Sequence, residues 1–169
     1  MLAMERGAAR DTSGDSAADE HAGPHLRPDI VPFEPWHLHW LTLQPTQAHL
    51  KELLTDAHGA AIQKAGPAYT AFVGYEVIAC AGVIQMWPGR AQVWSLLSDQ
   101  MPRYARDIHR AVKNYLRAYR VRRLECIVDP RHEAAVRWAK HLGFVKESTL
   151  QAYDMHGNDQ QMFVRLQRG

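Results

Sequence analysis

Arg103, Arg106, Arg110, Lys113 and Arg117 recur at intervals of three or four residues in the stretch "PRYARDIHRAVKNYLRAYR". On a helix that spacing lines them along one face. Arg120, Arg122 and Arg123 carry the positive charge beyond its end. Like charges at helical spacing repel; a solvated face tolerates this, and a polyanionic or acidic partner surface relieves it. No aromatics are interleaved with these cations on the face they would expose, which weighs against a nucleic-acid surface built on base stacking. The formal net charge is only +2, too small to imply nucleic acid by itself.

Other candidate reactive groups are a histidine pair and two cysteines. His37 and His39 flank Leu38 in "HLH" and mimic a metal-ligating pair, but no third ligand follows at a usable spacing. Histidines of an amphipathic helix are the expected reading, with no metal. Cys80 and Cys126 are the two cysteines, each in a strand-like segment without a C-x-x-C partner or a neighbouring histidine. Buried, reduced thiols are expected, and a nucleophilic cysteine is not.

These residues need elements to position them. A chain of 169 residues suits one compact domain and is short for two. Its 46% hydrophobic and 22% charged composition is that of a globular protein in water. No run approaches the ~20 apolar residues of a membrane span, so no membrane is expected. The N-terminus has no apolar run of signal-peptide length. Synthesis and residence in the cytoplasm are expected, and final placement within a larger particle is compatible with this.

Residues 1–28 are rich in Ala, Gly, Ser, Asp and Arg and lack the large apolar side chains whose burial offsets ordering entropy. They read as a flexible arm, or as one that orders on a partner, ahead of a domain over 29–169. Within that domain, "TQAHLKELLTDAHGAAIQKAG" predicts one helix, with Thr46 as N-cap and Leu50, Leu53, Leu54, Ala57 and Ala61 on its buried face. "AYTAFVGYEVIACAGVIQMWPGRAQVWSLLSD" predicts a three-strand antiparallel meander. Pro102 opens a second helix, with Ser98 or Asp99 near its cap. "RRLECIVD" is the next strand. Asp129-Pro130 then caps a helix whose Ala135, Val136, Trp138, Ala139 and Leu142 face inward, and Gly143 ends it. "LQAYDMHGNDQQMFVRL" reads as a hairpin about Met155–Asn158. The order predicts an α/β (α+β) domain with a mixed, mostly antiparallel sheet and helices on its faces.

That order, with "EVIACAGVIQM" as third element and a helix closing on Leu142-Gly143-Phe144, resembles the GNAT superfamily of acyl-CoA-dependent N-acetyltransferases over roughly residues 29–167. The family's last helix often shows Asn, two variable positions, Ala, three more, Tyr, three more and Gly-Phe. Ala135 and Gly143-Phe144 match; His132 stands at the asparagine and Ala139 at the tyrosine. The family also binds the CoA pyrophosphate with a glycine-containing loop that lets backbone approach the phosphates at a helix N-terminus. This chain has "SDQMPRYARDIHRA" there, with no glycine and with Pro102 removing an amide. A narrower similarity, carried by Ser98-Asp99-Gln100, the basic helix and the element order, points to the GNAT-like internal virion or morphogenesis proteins of short-tailed phages.

The resemblance implies a site. An N-acetyltransferase needs a base for the amine, a strand edge that polarises the thioester carbonyl and an acid for the leaving thiolate. By position the edge would be Leu96, Leu97 and Ser98. Asp99 and Glu125 would be the carboxylates nearest the splayed strand ends, and Tyr153 the phenol left once position 139 is alanine. Arg103 and Arg106 could hold phosphate by charge-assisted bonds in place of glycine-loop amides. Each also has an ordinary reading: Asp99 a helix cap, Glu125 an arginine's partner, Tyr153 hairpin packing. The expectation is a GNAT-fold virion or morphogenesis protein with impaired or absent transfer, meeting other virion proteins through its arm or basic helix. The alternative is an active N-acetyltransferase using acetyl-CoA; otherwise no cofactor is expected.

Because residues 1–27 bring no core side chains, deleting them is expected to leave the thermal midpoint unchanged. A drop of several degrees in a melting experiment would show that the arm packs on the domain.

Overall fold

The computed structural model describes residues 26–167. The arm expected at residues 1–28 therefore lies outside the described residues except for its last three. The chain runs β1 (Asp29–Pro32), two 3₁₀ helices (Pro35–Trp40 and Pro45–Leu53), α1 (Asp56–Ala65), β2 (Ala68–Val73), β3 (Glu76–Trp87) and β4 (Arg90–Leu97). It continues with α2 (Met101–Ala118), β5 (Arg123–Val128), α3 (Glu133–His141), β6 (Val145–Leu150) and β7 (Gln160–Leu166). The seven strands form one sheet in the order β1-β2-β3-β4-β5-β7-β6. Every neighbouring pair is antiparallel except β4 and β5, which α2 joins as a parallel crossover.

The strand sequences explain the two-faced core. β3, "EVIACAGVIQMW", is apolar almost throughout, as a central strand covered on both faces must be. Side chains alternate across the sheet, so Leu96 joins Phe33, Leu38, Ile62 and Cys80 beneath the 3₁₀ helices and α1. Its neighbour Leu97 turns the other way, toward Ile78 and Ile108 beneath α2. On that second face α2, through Leu116, and α3 lie over Val83, Leu124 and Phe163. The Trp138 indole N–H of α3 donates to His109 Nδ1 of α2 at 3.1 Å. Gly143, at φ +89°, takes the left-handed position that ends α3.

Several local expectations are corrected. The helix expected from Thr46 is broken: a 3₁₀ helix runs from Pro45 to Leu53, and α1 starts after Thr55, whose hydroxyl accepts the His58 amide at 3.2 Å. Thr55 rather than Thr46 is the cap, because its side chain offers the backbone an alternative to continuing the turn. "DIVP" forms an edge strand against β2, where Pro32 is tolerated. Ser98 lies near the cap of α2 as expected, its Oγ accepting the Gln100 amide at 3.1 Å, but the N-cap residue is Gln100 rather than Asp99, and His132, not Asp129-Pro130, is that of α3. The last hairpin uses Val145–Leu150 as its first strand, leaving 151–159 as a loop. There Asp154 gathers the backbone amides of His156 and Asn158 and the Asn158 side chain, which holds the chain out of the ladder.

Trp138 is half-buried rather than enclosed. Trp138→Ala is expected to cost about 2 kcal/mol in denaturant unfolding, below the ~3–5 kcal/mol of a fully buried tryptophan. A loss under about 0.5 kcal/mol, the level of an ordinary surface substitution, would overturn the orientation of α3.

Candidate active-site cleft between β4 and β5

The parallel pair β4–β5 is joined only through Arg90–Gln92 and Arg123–Glu125. Beyond that apex the strands diverge and open a cleft of about 480 Å³. Val93, Leu116, Cys126, Val128, Ala135 and Leu142 give it apolar walls. Gln44, Gln47 and His49 line it from the 3₁₀ side, Asp129, Arg131 and His132 from the end of β5, and Tyr153, Asp154 and Gln160 from the last hairpin.

The edge of β4 that faces this cleft follows from strand alternation. Ser98 N–H donates to Ile78 O at 2.9 Å, so Ser98, and two residues back Leu96, turn their backbone groups to β3. Ser95 and Leu97 face the opening. Neither is left bare: Gln47 Nε2 donates to Ser95 O at 2.9 Å, Leu97 N–H donates to Gln47 Oε1 at 2.8 Å, and Gln44 N–H donates to Leu97 O at 2.9 Å. Of the expected edge Leu96, Leu97 and Ser98, then, Leu97 alone presents its N–H and C=O to the cleft.

At the start of α2 the amides are also engaged. Gln100 N–H donates to Ser98 Oγ at 3.1 Å, Met101 N–H to Ser98 O at 3.2 Å and Arg103 N–H to Gln100 O at 3.1 Å. Position 102 is proline. Helix N-termini bind anions through free N–H groups, and this one spends its amides on itself. Arg103 and Arg106 are solvent-exposed, and neither lines the cleft.

The carboxylates separate. Glu125 sits at the closed apex, 2% exposed, where Arg90 Nε and Nη2 each donate to it at 2.9 Å and Arg123 bridges it to Glu147. Burial pushes its carboxyl up, but the bonds from Arg90 and Arg123 outweigh burial and hold the pKa below its ordinary value. A carboxylate neutralised by two guanidinium groups is a poor base, and Glu125 does not line the cleft. Asp99 is exposed beyond the end of β4 and likewise lies off the lining. Tyr153 does line it, 53% exposed, beside an Asp154 whose pKa is held down to about 2 by the bonds from Asn158. Ala139, at the position of the family's acid, forms part of the wall and offers no polar atom. Of the candidates, the structure brings Leu97 and Tyr153 to the cleft and leaves Asp99, Glu125, Arg103 and Arg106 outside it.

Several cleft residues had no sequence signal of their own. Gln47 sits in a stretch that reads as an amphipathic helix. The Arg131 guanidinium bonds Asp129 at 2.7 Å and holds its carboxyl below the usual range, but the pair is legible in sequence only as a turn. The histidines of "HLH" part company. His37 is buried, its Nδ1 accepting Glu34 N–H at 3.0 Å and lying 2.8 Å from Thr70 Oγ1, whereas His39 meets Asp56 on the surface. Burial pushes the Cys80 thiol up to about 11 and that of Cys126 up to about 12, so both stay protonated.

No family model and no curated protein matches the chain. Solved structures do. Ard1 from Thermoplasma volcanium superposes with a TM-score of 0.66 at 17% identity, over 84% of this chain and 99% of that one. An N-acetyltransferase from Staphylococcus aureus Mu50 gives 0.66 at 12%, over 82% and 97%. The GNAT-family acetyltransferase from Streptococcus pneumoniae gives 0.60 at 14%, over 83% and 99%. The chain has the GNAT fold, with a mixed, mostly antiparallel sheet and helices on both faces. Of the backbone groups by which the fold would hold acetyl-CoA, Ser95 O and Leu97 N–H on the β4 edge are bonded to the Gln47 carboxamide, and the first amides of α2 are bonded within the turn or replaced by Pro102.

Glu125→Gln is expected to lower stability by about 2–3 kcal/mol in urea unfolding, under the ~3–5 kcal/mol of a fully enclosed pair because both arginines keep a route to water. Unchanged stability would mean that Glu125 does not pin the apex.

Proposed function

We propose that this chain is a GNAT-fold protein in which acetyl-CoA-dependent transfer is impaired or absent, and that it acts as a binding or assembly component. The observation that carries this is the start of α2. Its first amides are bonded within the turn or replaced by Pro102, so the means by which the fold's enzymes cradle a pyrophosphate is missing. The absence of an acid at Ala139 and the neutralised state of Glu125 support the same reading.

The partner surface in this reading is the exposed face of α2. Arg103, Arg106, Arg110 and Arg117 are solvent-exposed and Lys113 half-exposed; the one acid bridged to them among the described residues is Asp107, 3.8 Å from Arg110. Burial lowers the pKa of His109 on the same helix, and Lys113 and His141 nearby lower it further. An acidic protein surface complements such a face. A virion or morphogenesis role in a short-tailed phage, with incorporation into the particle, rests on the similarity of Ser98-Asp99-Gln100 and the element order. The arm is the second candidate contact.

A second reading, an active N-acetyltransferase, is favoured by one observation: among the described residues, Arg103 and Arg106 at the head of α2 are exposed and make no ion pair, free to take phosphate through their side chains. Titration calorimetry with acetyl-CoA at modest salt separates the two. Binding weaker than millimolar, or none, is expected. Micromolar binding abolished by Arg103→Ala or Arg106→Ala would replace the first reading with the second.

A further inference from the structure

The backbone edge inside the cleft is closed by the chain itself. Gln47 Nε2 and Oε1, on Ser95 O and Leu97 N–H at 2.9 and 2.8 Å, take the places that the N–H and C=O of one residue in a parallel neighbouring strand would take. Beyond Gln92 and Glu125, β5 has moved too far away to supply them. Any extended ligand whose amides pair with this edge meets Gln47 there first.

The segment bearing Gln47 lies at the surface of the domain, with Leu50 packed against the core below it. It is a nine-residue 3₁₀ helix, long for a geometry that rarely exceeds three or four residues and that often marks a hinge. None of its residues is buried. Besides the Gln47 carboxamide, its hydrogen bonds to the sheet come from the residues just before its start, Gln44 N–H on Leu97 O at 2.9 Å and Asp99 N–H on Thr42 O at 3.4 Å, beside the Leu43–Ser98 bridge. Its sequence has the periodicity of a continuous helix into α1, yet the chain breaks at Leu54–Thr55.

We propose that Gln47 is an internal competitor: its carboxamide covers the cleft edge of β4, and the 3₁₀ segment must withdraw before a ligand bearing extended secondary amides can bind. This rests on reading the cleft as the ligand slot of the fold, but not on how α2 treats phosphate. The gate controls the apolar, amide-reading part of the slot and leaves the phosphate end untouched.

The test uses D-pantetheine, which carries two amides and no phosphate, titrated into the full chain. Gln47→Ala is expected to bind it at least about tenfold more tightly than the wild type, a difference of about 1.4 kcal/mol. Gln47→Glu, which at neutral pH can accept from Leu97 N–H but cannot donate to Ser95 O, is expected to fall between them. By NMR, the Leu97 amide of the unliganded Gln47→Ala protein is expected to exchange with solvent at least about tenfold faster than in the wild type, since its acceptor is gone. Equal affinity of wild type and Gln47→Ala, no binding by a folded Gln47→Ala protein, or an unchanged Leu97 exchange rate overturns the proposal. Because pantetheine has no phosphate, these results are separable from the acetyl-CoA titration, whose outcome turns on Arg103 and Arg106.

Discussion

The divergence of β4 from β5 is the constraint that orders the rest of this molecule. Two parallel strands that stop pairing in mid-sheet leave a row of backbone donors and acceptors facing a gap, and such groups, away from water, must be paired. The chain answers with Gln44 and Gln47, whose backbone N–H and side-chain amide stand in for the missing strand. The apolar walls from α2 and α3, the polar mouth and the position of Tyr153 are arranged around that opening.

Opposite the opening, the apex is closed by charge. Glu125 lies under Arg90 and Arg123, with Glu147 of β6 completing the set, so ionic bonds tie β4, β5 and β6 together where the parallel ladder is only three residues long. A carboxylate held this way by two guanidinium groups is a poor base. One residue type at one position thus serves rigidity in this chain where the resemblance had suggested chemistry.

A GNAT fold does not bring transfer with it, since function lives in the site rather than in the architecture. Here the amides at the start of α2 are bonded within their own turn, the Ser95–Leu97 edge of β4 is bonded to Gln47, and position 139 is alanine. What remains unspent is the positive face of α2. That distribution is what the proposed binding role rests on.

The sequence by itself determined the elements whose signals are local. The meander is legible because apolar runs alternate with Gly74-Tyr75 and Pro88-Gly89, the stripe of α2 because Ile108, Val112 and Leu116 recur at helical spacing, and the end of α3 because Gly143 tolerates a positive φ. The absence of a glycine loop was legible for the same reason: it is a matter of residue type at one place. Tertiary structure decided the rest. Whether Leu96 or Leu97 faces the cleft depends on the register against β3, which one residue's slip would invert. Glu125 became a strut because β5 pairs with β4 over Arg90–Gln92 and not further along, and Gln47 became part of the cleft because the chain breaks at Thr55 and lays the preceding turn on β4. None of these depends on periodicity; each depends on which strand lies beside which, and contacts between residues thirty-five or fifty positions apart leave no trace in local pattern.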